Sequence, residues 1–290
     1  MCNSKPFYII LLLAITNLSI GYAQRPNYKV KKPAFADEAF MSKQWWIGIR
    51  TGLNLTKAVP DERYSVFSST DNNNDYHKSY QNFNRSGAVA GMEVTFVYKN
   101  ISASFQPNYR RQRFVYRNSY EWKEDSTNNY LNLNFEQDHH LEYLEFPIFL
   151  KYDIIKRKIK PFIQAGFYYG TLINANKSVN ITGYDQASGG YVFNSGNISM
   201  GARDLFIKSS IGFIGGAGVS YNLGNLKLIA DINYRFGTHN ITNTKNRFTD
   251  NRLAGSGDAM DDIKLRNLSF NFGVLFPMRF LITKYYKAAD

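Results

Sequence analysis

The residues with most chemistry to offer are nine charges: Arg50, Glu93, Arg110, Glu145, Lys151, Asp153, Lys227, Asp231 and Arg235. Each lies on the polar side of a segment whose other side is apolar. Glu93 and Glu145 are the carboxylates that general acid–base catalysis would use, but no nucleophile or cleft accompanies them. Opposite charges confined to one interior pair instead, because an unpaired buried charge costs several kcal/mol. The run Gly212-Phe-Ile-Gly-Gly-Ala-Gly218 has the glycine content of a phosphate-cradling loop. Such loops stand between a strand and a helix, whereas here strand pattern continues on both sides, so the glycines relieve crowding. Asp71-Asn-Asn-Asn-Asp75 is oxygen-rich but lacks the Gly and bidentate Glu of a calcium loop. His139 and His140 are adjacent, so a strand points them opposite ways, and His77 and His239 are isolated. No nucleophile elbow occurs. The sequence therefore predicts no catalytic residue, metal site or cofactor.

Period-two alternation positions these charges. The apolar series are Trp45 to Leu55, Ala88 to Tyr98, Ile101 to Tyr109, Leu144 to Tyr152, Ile163 to Tyr169, Ile211 to Tyr221, Leu226 to Phe236 and Leu268 to Phe276. Pro107 interrupts the third and predicts a bulge; the third also continues through Phe114 and Tyr116. Tight turns are expected at Lys99-Asn100, 156–160 and Gly224-Asn225, and long polar loops at 57–85, 121–138, 179–204 and 242–262. Long and short connections alternate, which places both termini and every tight turn on one side of a membrane.

An eight-stranded soluble barrel turns its apolar face inward. Here the opposite face carries the charges, and a Lys or Arg facing lipid costs roughly 2–4 kcal/mol at midplane. The apolar face must therefore point outward. The predicted fold is all-β, an eight-stranded antiparallel up-and-down transmembrane β-barrel with a closed lumen, since eight strands leave room only for side chains. Aromatic girdles are expected from Trp45, Tyr98, Tyr152, Tyr221 and Phe276 at the periplasmic ends and from Tyr109, Tyr169, Tyr234 and Phe236 at the outer ends.

Targeting agrees. Lys5, the apolar run 7–15 and Gly21-Tyr22-Ala23 read as a cleaved signal over residues 1–23. Cys2, the single cysteine, leaves with it, so no disulfide or sulfur ligand remains. No run of about 18 apolar residues follows, which excludes helical spans. A mean hydropathy of -0.38 beside 22 Phe and 21 Tyr suits alternating strands. Residues 24–43, with Pro26 and Pro33, are expected to form a flexible periplasmic arm, residues 44–280 the barrel and residues 281–290 a periplasmic tail. The net charge of +12 falls to +11 without Lys5. Export removes nucleic acid as a partner; acidic lipid headgroups, lipopolysaccharide or an acidic envelope protein fit better.

Tyr143-Leu-Glu-Phe-Pro-Ile-Phe-Leu-Lys-Tyr152, Trp46-Ile-Gly-Ile-Arg-Thr-Gly-Leu-Asn54 and Asn233-Tyr-Arg-Phe-Gly-Thr-His-Asn-Ile241 resemble the PorT-like outer-membrane β-barrel proteins of Bacteroidota. The resemblance spans about residues 44–280. It implies an integral outer-membrane barrel, and some members of that family serve type IX secretion and gliding. Barrels of this kind often end in an aromatic residue; Phe276 or Phe280 would serve, with residues 281–290 trailing beyond. Two expectations follow for function: an accessory subunit of an envelope complex, acting through arm and tail, or a surface ligand-binding barrel, acting through its outer loops. An outer-membrane hydrolase built from converging rim residues is the enzymatic alternative.

Overall fold

A computed structural model describes residues 43–64, 78–124, 129–155, 157–186, 189–223, 225–247 and 259–278. The leader, nearly all of the arm, the tail and Asp71–Asp75 lie outside the described residues, as does His77. The strands are β1 (Lys43–Glu62), β2 (Ser79–Tyr80), β3 (Ser86–Tyr98), β4 (Ile101–Phe105), β5 (Asn108–Lys123), β6 (Tyr130–Asp153), β7 (Ile159–Asp185), β8 (Tyr191–Gly201), β9 (Ser209–Leu223), β10 (Leu226–Gly237) and β11 (Asp262–Pro277).

All pairings are antiparallel, and the sheet closes on itself. β1 pairs with β3 on one side and β11 on the other. The ring then runs through β4 and β5 to β6, across to β7, and back through β9 and β10 to β11. β4 and β5 are one stave broken at Gln106-Pro107, so eight staves form the ring. No bulge occurs there, contrary to expectation. The register against both β3 and β6 is the same before and after the break. Pro107 has no N–H to give, but its carbonyl still accepts from the Met92 amide at 2.9 Å, and the Gln106 amide donates to the Pro147 carbonyl at 3.0 Å. Those two bonds hold the alignment across the gap.

Exposure decides which way the apolar face points. Ile49 is 66% exposed, Leu150 61% and Phe213 65%, while their neighbours Arg50, Lys151 and Ile214 are buried. The apolar side of every stave faces out. Of the nine girdle aromatics, Trp45, Tyr98, Tyr152, Tyr169, Tyr221, Tyr234, Phe236 and Phe276 are exposed, and Tyr109 is half-buried.

The expected loops 121–138 and 179–204 are largely strand instead. β5 pairs with β6 as far as Lys123↔Tyr130, and β7 pairs with β8 from Asn176↔Gly201 to Asp185↔Tyr191. β1 likewise enters 57–85 as far as Glu62, β2 adds to β5, and β11 begins within 242–262. The cause is a change of environment. Above the outer girdle the outer face of each strand meets water, so the lipid pattern stops, but the ladder continues.

An Ile49→Arg substitution places a charge in the middle of the lipid-facing band. The barrel is expected to lose roughly 2–4 kcal/mol, whereas Val59→Glu, further out on β1 and directly opposite Lys264, changes stability little. Denaturant titration in lipid vesicles, followed by tryptophan fluorescence, measures both.

Candidate functional site

The lumen has three layers. At the end that carries the tight turns Trp46, Val97, Phe162, Ile229 and Leu275 form an apolar floor. Their strands bring them inward because each sits in phase with a polar or charged position above it, such as Arg50 above Trp46 and Gln164 above Phe162. Gly216 and Gly218 make room in this interior: a Cβ on Gly218 would meet Phe162 Cζ at 2.6 Å, and one on Gly216 would meet Asn233 Oδ1 at 2.1 Å. Gly215 instead faces outward, with nothing near it.

The middle layer holds two ion clusters. Arg50 from β1 donates to Glu93 on β3 at 2.6 Å and, through its other nitrogen, to Asp231 on β10. Lys151 from β6 donates to the second Glu93 oxygen at 2.6 Å, and Thr95 and Ser104 hydroxyls donate to that same oxygen at 2.6 and 2.9 Å. Asn233 and Asn271 amides donate to Asp231 at 2.6 and 2.9 Å. In the second cluster Arg110 donates to Glu145 at 2.8 Å, Arg235 donates to the same oxygen, and Arg110 also reaches Asn54 at 2.7 Å. The Arg235 guanidinium lies 4.4 Å over the Tyr168 ring.

Of the nine charges, seven therefore meet in these two clusters. Lys227 lies below them, 4.5 Å over the Trp46 ring. Asp153 is half-buried, with Lys227, Lys160 and Lys151 as its charged neighbours. A cavity of about 20 Å³ remains between the clusters, lined by Arg50, Gln106, Asn108, Arg110, Asn233 and Arg235 among others. That is room for about one water molecule. Glu93 and Glu145 are each clamped by two cations, so neither is placed to shuttle a proton to a substrate. Among the described residues no three of His, Cys, Asp and Glu are grouped to hold a metal ion.

The top layer is an apolar cap that the sequence reading missed. Phe114, Tyr116, Leu141, Tyr143, Leu205, Phe206, Ile241, Met260, Ile263 and Leu265 pack together inside the outer end of the barrel. His139 lies within it, stacked on Phe114 at 4.8 Å and edge-on to Phe206 at 5.6 Å. Lys78 folds in from outside the ring to pair with Asp261 at 3.0 Å, and the Tyr80 hydroxyl donates to the same carboxylate at 2.7 Å.

A readable signal marked this cap. On β6 the odd residues face inward throughout, yet they change from Leu141 and Tyr143 to Glu145 and Lys151, while the even ones change from Glu142 to Leu144. β11 switches the same way between Leu265 and Asn267. Outside the cap, β5 and β6 carry a lattice: Arg111–Glu142 at 2.9 Å, Arg113–Asp138 at 2.7 Å and Arg117–Glu136 at 2.6 Å. Partial burial opposes ionisation of Asp138, but hydrogen bonds from His140 and Arg113 outweigh it and hold the carboxyl below its usual range.

Comparison with known proteins now adds the family. A family model described as "Outer membrane protein beta-barrel domain" matches residues 22–243. The chain belongs to this outer-membrane β-barrel family. Among solved structures, similar ones include Neisserial surface protein A (16% identity, 79% of this chain and 96% of that one, TM-score 0.30). E. coli outer membrane protein W (14%, 81% and 98%, 0.31) and Ail, the attachment invasion locus protein of Yersinia pestis (10%, 80% and 99%, 0.29), are others. The family model, not these likenesses, carries the assignment. No curated protein matches. The outer-membrane barrel thus has an interior filled from floor to cap.

Two measurements check the lumen. Planar-bilayer recording is expected to show no stable large conductance. Glu93→Gln leaves Arg50 and Lys151 without their shared carboxylate and is expected to cost about 3–5 kcal/mol. Adding Lys151→Met should recover part of that loss in a double-mutant cycle read by heat-modifiability on gels.

Proposed function

We propose that this barrel is neither a pore nor an enzyme but a surface-binding protein that works through the sheet standing above its outer girdle. One observation carries the reading. β5 runs on from Tyr109 to Lys123, roughly 45 Å of strand at about 3.3 Å per residue, and β6, β7 and β8 rise beside it. At its tip large apolar side chains stand in water: Val192 is 82% exposed and Tyr191 68%, with Trp122, Tyr184 and Phe193 beside them in exposure. Those on β7 and β8 stand on both faces of their ribbon, Tyr191 and Phe193 on one and Val192 with its cross-strand partner Tyr184 on the other. Exposed apolar surface of this kind marks a site of interaction. β8 pairs only with β7 among the described residues, so its free edge offers backbone groups to an added strand. A protein partner suits both features.

The resemblance to PorT-like proteins supports a second reading, an accessory subunit of an envelope complex such as type IX secretion. Its best motif, Tyr143 to Tyr152, supplies Glu145 and Lys151 to the lumen clusters and Tyr143 to the cap. That motif speaks for the stave and is silent on secretion. The contacts this reading needs, residues 24–43 and 281–290, fall almost wholly outside the described residues.

A gentle-detergent pull-down from native membranes separates the two. A stoichiometric partner kept by a chain lacking residues 24–42 and 281–290, but lost when Tyr191, Val192 and Phe193 all become Ser, is the expected result. The reverse pattern assigns the partner to arm and tail. No stoichiometric partner with the intact chain removes both readings.

A further inference from the structure

The wall opposite in character to the β5–β6 lattice is formed by β1, β11, β10 and β9. A shallow groove of about 790 Å³ runs along its lipid-facing side, within the range of roughly 300–1,000 Å³ usual for ligand sites. Small residues, Thr51, Ala217 and Ala230, form its floor, and Phe270, Phe272 and Ile232 stand around it. The register explains the depression. Ala230 pairs with both Val219 and Phe272, and Ala217 pairs with Ile232, so small and large side chains alternate across the staves.

Directly above the groove the same strands change from apolar to basic. On β1 the outward series goes Leu53, Leu55, Lys57; on β11 it goes Phe270, Leu268, Arg266, Lys264. Lys57 and Arg266 are direct cross-strand partners, and Arg266 is also the partner of the girdle residue Phe236. The Arg266 guanidinium lies 4.9 Å over the Phe236 ring. Like charges directly opposite one another on one sheet face destabilise the sheet. Among the described residues one carboxylate reaches this cluster, Asp61, which takes Lys264 at 2.7 Å; none lies within ion-pair distance of Lys57 or Arg266. On the β5–β6 wall, by contrast, Arg111, Arg113 and Arg117 each have a carboxylate. One wall neutralises its own cations just above the girdle, and the other leaves two of them facing outward where headgroups begin.

We propose that this wall is a binding site for one phosphorylated, multiply acylated lipid of the outer leaflet. Its phosphate bridges Lys57 and Arg266, with Lys264 alongside, and its chains fill the groove below. Two features that arise separately, a gap in the apolar wall and an unanswered cation pair, lie on the same staves one above the other. Only a molecule with an anionic head and apolar tails satisfies both. The site is independent of the sheet tip that carries the proposed function.

Native mass spectrometry of the full chain released from nanodiscs tests it, with diphosphorylated hexa-acyl lipid A as probe in a phosphatidylcholine background. The wild type is expected to retain one lipid A. Lys57→Ser with Arg266→Ser should lower occupancy at least about tenfold, since charge-assisted bonds to phosphate are lost. Ala230→Phe, which fills the groove and leaves the cations, should lower it too, while Arg111→Ser with Arg113→Ser on the other wall should not. Folding of each variant is verified by heat-modifiability. Equal retention by wild type and the Lys57/Arg266 variant overturns the proposal. So does displacement of the lipid by inorganic phosphate alone, which would make the cluster a free-phosphate site, or undiminished retention by Ala230→Phe.

Discussion

Hydrocarbon offers no hydrogen bond, so every peptide group in the band must find its partner inside the sheet. Closing β1 onto β11 satisfies that demand and creates a second one. Eight staves enclose an interior no wider than its own side chains, and the charges turned into it cannot be solvated. Each must be answered by another. Glu93 answers Arg50 and Lys151; Glu145 answers Arg110 and Arg235. Closure and charge pairing are therefore a single constraint, and the sealed lumen is its outcome.

Above the outer girdle water replaces lipid and the constraint inverts. The same inward positions that carry Glu145 and Lys151 lower on β6 carry Leu141 and Tyr143 higher up. An apolar core inside and a charged lattice outside are what any soluble sheet would adopt. The chain is thus a membrane protein over part of its length and a soluble protein over the rest, built on strands such as β6 and β7 that run through the boundary. The floor of Trp46, Phe162 and Leu275 closes the other end by the same logic.

Much of this was legible in the residues. Alternation gave the eight staves and the outward direction of their apolar side, because Ile49 and Leu150 have charged neighbours, Arg50 and Lys151, that no lipid would accept. The inward charges were also readable, though their partners were not: Arg50 meets Asp231 across a sequence distance that periodicity does not encode. The outer strands were lost because their inward apolar residues, such as Phe135, alternate in the opposite phase, and a reading tuned to one phase took them for loop. Pro107 was overread: a missing donor breaks a ladder bond without having to shift the register.

Among the described residues Arg50 is the one side chain that grips both the second stave and the last but one, through Glu93 and Asp231. A sheet still open between β1 and β11 keeps Glu93 beside Arg50 and Lys151 but leaves Asp231 stranded without its guanidinium. The final seam and the electrostatic lock then come together or not at all, and insertion into the bilayer has no comfortable halfway point.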